Sequence, residues 1–195
     1  MFTGIIEHIG LVQSIANIDG GLRMGVKIPG SLLLHIGDSV AIDGCCQTVV
    51  ESKKGSFTVF AIEETLKKTN FPYLRLKSYV NIEFPLSANS RFNGHFVQGH
   101  VDCTGKLTAI EMRKTSRMFW FRLPKKHMRM LVPVGSIAVN GVSLTVAQLK
   151  KQSFGVSIIP HTFDHTTFQY LHEGDTVNLE FDIIGKYVKR LMNEK

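Results

Sequence analysis

The segment Val80-Asn81-Ile82-Glu83-Phe84 recurs 97 positions later as Val177-Asn178-Leu179-Glu180-Phe181. Further pairs with this offset are Ser39/Ser136, Ala41/Ala138, Gly44/Gly141, Thr48/Thr145, Phe57/Phe154, Thr65/Thr162, Thr69/Thr166 and Phe71/Phe168. Nearer the start the offset is 95, as between Gly4 and Gly99. An offset that persists across most of a module, with one two-residue insertion, indicates tandem duplication.

Each copy has the residue pattern of short β-strands separated by turns. Residues 56–62 alternate between apolar and polar side chains and are rich in β-forming residues. The dipeptides Asp43-Gly44 and Asn140-Gly141 are turn signals that follow an extended run in each copy. Strands are predicted at 39–42, 47–50, 56–62, 136–139, 144–147 and 154–159. About six strands in some 90 residues favour a closed barrel, because closure removes unpaired edges.

Short helical segments are predicted between the strands and at the end of the chain. Two equivalent pairs are 63–69 with 162–168, and 31–35 with 125–131. The segment 184–192 has apolar residues at i, i+3, i+4, i+7 and i+8, the pattern of an amphipathic helix. It has no counterpart in the other copy, which favours a role in assembly. The predicted units are residues 1–92, 93–183 and 184–195.

Composition limits the class of protein. The chain has 195 residues, ordinary apolar and charged fractions, and no apolar run long enough to span a membrane. Its start lacks the layout of a signal peptide, so we expect a cytoplasmic protein. The net charge of +7 is scattered in small lysine pairs. This distribution favours solvated strand ends over a nucleic-acid surface.

The cysteines and one histidine pair each have a structural and a functional interpretation. Three cysteines, two of them adjacent, make a poor disulfide framework and favour reduced thiols. Adjacent residues on a strand face opposite sides, which would place Cys45 in the core and Cys46 outside, but the local pattern alone favours two buried thiols. His161 and His165 have metal-ligand spacing on a helix, but no third ligand is nearby, which favours a surface helix start.

His95 and His100 lie where the second copy begins. His100 aligns with Ile5, so the first copy has an apolar residue where the second has an imidazole. A lone histidine is usually structural, but this difference between the copies makes His100 a candidate site residue. We expect His100 on the first strand of the second copy, and His95 before that strand in a structural role.

Four segments together resemble one family. They are residues 1–7, 94–102, 139–146 and 159–162, and they resemble the riboflavin synthases, whose lumazine-binding domain is duplicated. The resemblance covers essentially the whole chain and implies two six-stranded Greek-key barrels with a C-terminal helix that joins three chains. It also implies the dismutation of two 6,7-dimethyl-8-ribityllumazine molecules by four-carbon transfer, without a metal or redox cofactor. The resemblance also implies lumazine synthase as a further partner.

The resemblance also implies site residues. The catalytic candidates are His100, Cys46, Ser39, Ser143 and Asp182, with His100 as the acid/base that takes a proton from the substrate methyl group. The N-terminal half would bind substrate through Gly4, Ile5, Ile6, Cys46, Gln47, Thr48, Phe60, Ala61, Ile62, Glu63, Glu64 and Thr65. The C-terminal half would use Gly99, His100, Val101, Val134, Ser143, Leu144, Thr145, Ser157, Ile158, Ile159, Pro160, His161 and Thr162.

Some positions depart from the family pattern. Asp43 and Gln47 replace the usual Asn and Leu, and Val134 stands where many members have a substrate-contacting lysine. A non-catalytic lumazine- or flavin-binding antenna protein is the alternative, since such proteins share the duplicated fold. The presence of Ser39, Cys46 and His100 favours the enzyme.

Overall fold

The computed structural model describes residues 1–192, which form two closed antiparallel barrels followed by a helix. The strands of the first barrel are β1 (His8–Ile18), β2 (Gly21–Lys27), β3 (Ser39–Ile42), β4 (Cys45–Lys53), β5 (Ser56–Ala61) and β6 (Tyr79–Glu83). Those of the second are β7 (Cys103–Met112), β8 (Arg117–Arg122), β9 (Ser136–Val139), β10 (Val142–Leu149), β11 (Ser153–Ile158) and β12 (Thr176–Phe181).

The two barrels have the same strand order. It is β1-β2-β5-β4-β3-β6 in the first and β7-β8-β11-β10-β9-β12 in the second. In each, three hairpin-linked strands are followed by a strand that returns beside the first of the three, which is a Greek key. The predicted fold of tandem six-stranded Greek-key barrels is confirmed, and all six predicted strand segments fall on β3, β4, β5 and their equivalents.

The helices are short except for the last. They are α1 (Glu63–Lys68), α2 (Pro160–Asp164) and α3 (Ile183–Met192), with 3₁₀ turns at Phe71–Tyr73, Lys125–Met130 and Thr167–Tyr170. The predicted helices at 63–69 and 184–192 are confirmed to within one residue, whereas 125–131 is a 3₁₀ turn. Residues 193–195 of the predicted tail lie outside the described residues. Among residues 1–192, no helix has the length and apolar character needed to cross a membrane.

Two further helix predictions also differ from the structure. Residues 31–35 form an irregular loop, because the Leu32 carbonyl accepts a hydrogen bond from the distant Gly55 N–H (2.9 Å) instead of from a helical neighbour. The predicted helix at 162–168 is split, since Thr166 is extended and separates α2 from the following 3₁₀ turn. The Thr166 hydroxyl donates to the Thr162 carbonyl (2.7 Å) and accepts from the Phe168 N–H (3.3 Å).

A buried network of asparagines joins the two barrels with approximate two-fold symmetry. The Asn81 side-chain amide donates to the Asn140 carbonyl (2.8 Å), and that of Asn178 donates to the Asp43 carbonyl (2.9 Å). Their side-chain oxygens accept from the equivalent backbone groups, Thr167 N–H (2.7 Å) and Asn70 N–H (2.6 Å) respectively. Buried polar groups need such partners, so the network fixes the barrels relative to each other.

Candidate functional site

Each barrel has a polar patch on its outer face, at the same place in the fold. On the first barrel β3 pairs with β4, which places Ser39 opposite Thr48, and β5 lies on the other side of β4. Along β4 and β5 the buried residues alternate with outward ones, as the two-residue period of strands requires. The outward residues are Ser39, Cys46, Thr48 and Phe60, and Ile62 follows β5 on the same side. Their equivalents are Ser136, Ser143, Thr145, Ser157 and Ile159.

The leading segment of each half, residues 4–6 in the first and residues 99–101 in the second, docks on the barrel of the other half. The Cys46 N–H donates to the Gly99 carbonyl, and the Ser143 N–H donates to the Gly4 carbonyl, both at 2.8 Å. Val101 is buried in the core of the first barrel, and Ile6 packs against that of the second. The predicted grouping by half is therefore wrong for these segments: Gly4–Ile6 lie at the second barrel and Gly99–Val101 at the first.

The docking of each leading segment on the other barrel depends on a glycine. Gly4 and Gly99 have φ of 79° and 78°, a backbone region that favours glycine. A side chain at Gly99 would come within 2.6 Å of the Cys46 Cβ, and one at Gly4 within 2.6 Å of the Ser143 Cβ. The glycines thus allow each segment to approach the opposite patch closely.

The patch on the first barrel contains a thiol, a hydroxyl and an imidazole. Cys45 is buried and Cys46 is half-buried, so the favoured interpretation of two buried thiols is wrong, and all three cysteines are free thiols. Burial raises the pKa of the Cys46 thiol, and a hydrogen bond with Ser39 lowers it in part. His100 is exposed and directly follows Gly99, which is bonded to Cys46. The structure thus brings Ser39, Cys46 and the backbone of His100 to one patch.

The predicted strand position of His100 is wrong, because β7 begins only at Cys103. The N–H groups of Gln98, Gly99 and His100 instead donate to the buried Glu180 carboxylate, at 2.7, 2.9 and 3.0 Å. Glu83 has the equivalent role in the other half. It accepts from the Thr3 N–H and hydroxyl, at 2.6 and 2.9 Å, and from the Gly4 N–H at 3.0 Å.

The patch on the second barrel contains a serine–histidine pair. The His95 Nδ1 lies 2.7 Å from the Ser143 Oγ, and the imidazole is buried. Burial lowers the pKa of His95, and the nearby Asp182 charge opposes this shift. The His95 Nε2 is buried without a hydrogen-bond partner among the described residues. His95, expected to be structural, therefore touches a predicted site residue.

Asp182 links this patch to the tail helix. It follows β12, and its carboxylate accepts a hydrogen bond from the Ile184 N–H (2.9 Å) at the start of α3. Lys186 of α3 forms an ion pair with Asp102 at 2.6 Å, and Asp102 also accepts from the Phe181 N–H (2.8 Å). The start of α3 is thereby fixed close to the second barrel.

A surface cavity lies beside each patch, at equivalent places. The cavity on the first barrel has a volume of about 390 Å³, and its lining includes Phe60, Ile62, Glu63 and Glu64. The cavity on the second barrel is about 250 Å³ and is lined in part by Ile158 and Pro160. Segments 60–65 and 157–162, which the sequence predicts to bind substrate, thus contribute to these two cavities.

Two further candidates, Val134 and His161, lie at the edges of the second barrel. Val134 is 80% exposed in the turn before β9, with φ of 62°, which is strained for a β-branched residue. His161 lies on α2 and His165 directly follows it; both are exposed, and their rings stack with 4.3 Å between centroids. Within residues 1–192, no group of three or more His, Cys, Asp or Glu side chains is arranged to hold a metal ion.

Comparison with known proteins defines the class to which this double barrel belongs. The model of the lumazine binding domain matches the chain twice, at residues 3–85 and 98–182. Solved structures of LumP have the same fold. The complex with riboflavin aligns with a TM-score of 0.86 at 22% identity, over 93% of this chain and 99% of that one. The complex with 6,7-dimethyl-8-(1'-D-ribityl) lumazine aligns with a TM-score of 0.84.

Curated relatives match over the full length. The riboflavin synthase of Bacillus subtilis (strain 168) is 40% identical over 195 residues, which is 100% of this chain and 91% of that protein. The riboflavin synthase of Schizosaccharomyces pombe is 35% identical over 98% of this chain and 94% of that one. The chain belongs to the riboflavin synthase family.

Proposed function

We propose that this protein converts two molecules of 6,7-dimethyl-8-ribityllumazine into riboflavin and 5-amino-6-(D-ribitylamino)uracil, the last step of riboflavin biosynthesis. The observation that carries the proposal is the pair of equivalent patches with different polar groups. A dismutation uses two copies of one substrate in two roles, one as donor and one as acceptor of a four-carbon unit. Two equivalent patches with different polar groups would allow one substrate molecule to be treated as the donor and the other as the acceptor.

The patch on the first barrel has the groups for proton transfer. Losing a proton from the methyl group on C7 of lumazine requires a base, and an imidazole titrates near neutral pH. His100 is the candidate base, because it is exposed beside Cys46. Cys46 and the nearby Ser39, whose hydroxyl partly offsets the raised pKa of the thiol, would polarise the ring or pass protons on.

The patch on the second barrel would serve the other substrate molecule. Burial lowers the pKa of His95, so its imidazole is largely neutral at pH 7 and is able to accept a proton from the Ser143 hydroxyl. Asp182 would act through its charge on His95. The threonines Thr48, Thr65, Thr145 and Thr162 have hydroxyls suited to the ribityl chain. Holding two flat rings together makes the reaction effectively intramolecular, which is worth on the order of 10⁵–10⁸ M in effective concentration.

The chemistry is tested by mixing the purified protein with 6,7-dimethyl-8-ribityllumazine and following riboflavin absorbance. We expect flavin and pyrimidinedione in equal amounts, without an added metal or redox cofactor. If lumazine binds but no flavin forms, the antenna-protein alternative replaces the enzyme.

The same proposal includes a cytoplasmic homotrimer assembled through the tail, which would bring the first barrel of one chain to the second barrel of a neighbour. Its support is the set of exposed apolar residues on α3: Ile184, Tyr187, Val188, Leu191 and Met192. Lumazine synthase is the proposed external partner. We also propose residues 1–92, 93–183 and 184–195 as the three units of the chain.

The trimer is tested by ending the chain at Ile183 and measuring mass by light scattering. We expect folded monomers, because the apolar face that α3 exposes is then missing. A matched control, Lys189→Ala in the full chain, alters the charged side of α3 and should leave the trimer intact. A truncated chain that is still trimeric would disprove the role of the tail.

A further inference from the structure

The exchanged segment that carries His100 is held by one side chain. The Glu180 carboxylate accepts hydrogen bonds from three consecutive backbone N–H groups, those of Gln98, Gly99 and His100. One oxygen takes the first at 2.7 Å, and the other takes the next two at 2.9 and 3.0 Å. Glu180 is 3% exposed, so water does not substitute for it readily.

The same side chain lies close to the patch on the first barrel. The Gly99 carbonyl, between two of the clamped N–H groups, accepts the hydrogen bond from Cys46. The negative charge of Glu180 reaches the Cys46 thiol and contributes to raising its pKa. Glu180, on β12 of the second barrel, thus fixes a segment that belongs to the site on the first.

We infer that Glu180 is a positioning residue for the reaction, which sets the place of the His100 imidazole relative to Cys46. This inference rests on the proposed function. A carboxylate is the group that three converging donors require, because it has only acceptor oxygens. An amide at this position would direct its own N–H₂ group at backbone donors and release part of the segment.

The other half provides a matched comparison. Glu83 clamps the leading segment of the first half in the same way, through Thr3 and Gly4. That segment carries Ile5 where the second carries His100. A purely structural clamp predicts the same consequences when either glutamate is changed, whereas a positioning role predicts that only Glu180 is coupled to the imidazole.

The test is a pair of double-mutant cycles with 6,7-dimethyl-8-ribityllumazine as substrate, combining Glu180→Gln or Glu83→Gln with His100→Ala. We expect Glu180→Gln alone to lower kcat by about 10- to 100-fold, since a displacement of about 1 Å costs up to about 100-fold. In the His100→Ala background Glu180→Gln should add less than about twofold. Glu83→Gln should lower kcat by the same factor in both backgrounds, as independent sites do.

Losses from Glu180→Gln and His100→Ala that multiply fully would overturn the inference while leaving the proposed function intact. Wild-type protein that forms no riboflavin would overturn both. Should Glu180→Gln fail to fold in a thermal melt, Glu180→Asp keeps the charge and shortens the reach. We expect Glu180→Asp to lower kcat less than Glu180→Gln does, and to cause no further loss in the His100→Ala background. A loss in kcat that remains in that background would count against the positioning role.

Discussion

The two barrels have the same strand order but use different chemistry at equivalent positions. The first patch pairs Cys46 with Ser39 and receives His100 from the other half, whereas the second pairs Ser143 with the buried His95. The connecting asparagine network also differs at two equivalent positions, where the first half has Asp43 and Asn70 and the second has Asn140 and Thr167. Duplication therefore preserved the scaffold and the inter-barrel contacts, while the groups able to move protons diverged.

The largest expected effect comes from removing the imidazole of the first patch. His100→Ala should lower kcat by about 10²- to 10⁴-fold, the usual contribution of general acid–base catalysis. Lumazine binding, followed by fluorescence, should change much less, because His100 is exposed and its backbone stays clamped by Glu180.

Ile5 is the matched control for this change, since it occupies the equivalent position at the other barrel. Ile5→Ala should weaken lumazine binding more than it lowers turnover, because it removes apolar contact area and no proton carrier. Equal kcat losses in the two variants would contradict the functional difference between the patches.

The sequence predicted the scaffold well because strand patterns and the repeat offset are local signals. It did not predict the exchange of the leading segments, since the offset between Gly4 and Gly99 is the same whichever barrel each segment contacts. On β12, Asn178 and Glu180 alternate with apolar residues and would be expected to face solvent, yet both are buried. Their identity with Asn81 and Glu83 in the first copy was the one available signal.

The next largest effect concerns Asp43, which stands where the family usually has an asparagine. Burial raises the pKa of its carboxyl to about 6 from an ordinary 3.8, against the opposing hydrogen bonds from Asn70 and Asn81. The folded state therefore holds a proton that the unfolded state releases between about pH 4 and 6. The free energy of unfolding should fall as pH rises through this window and level off above it. The contribution is on the order of 3 kcal/mol, at about 1.4 kcal/mol per pKa unit.

This contribution is measured by urea unfolding of the wild type and Asp43→Asn at several values between pH 4 and 7. Because the Asn70 amide donates to Asp43, Asp43→Asn is best combined with Asn70→Thr. The double variant then has the same residue types as the equivalent pair of the second half, Asn140 and Thr167. Asn70→Thr alone is the control. The stability of the double variant relative to that control should increase with pH, and a constant difference would show that Asp43 does not titrate in this range.

The smallest expected effect concerns the second patch and tests whether Ser143 and His95 act as one unit. Ser143→Ala should lower kcat about tenfold, which corresponds to one hydrogen bond of about 1.4 kcal/mol. His95→Gln fills similar space and still reaches the Ser143 hydroxyl, but it cannot take a proton, so it should cost about the same. If the two side chains act as one unit, the double variant loses about tenfold in kcat, not a hundredfold. A hundredfold loss would mean that Ser143 and His95 contribute separately, with their 2.7 Å contact serving only to pack the barrel.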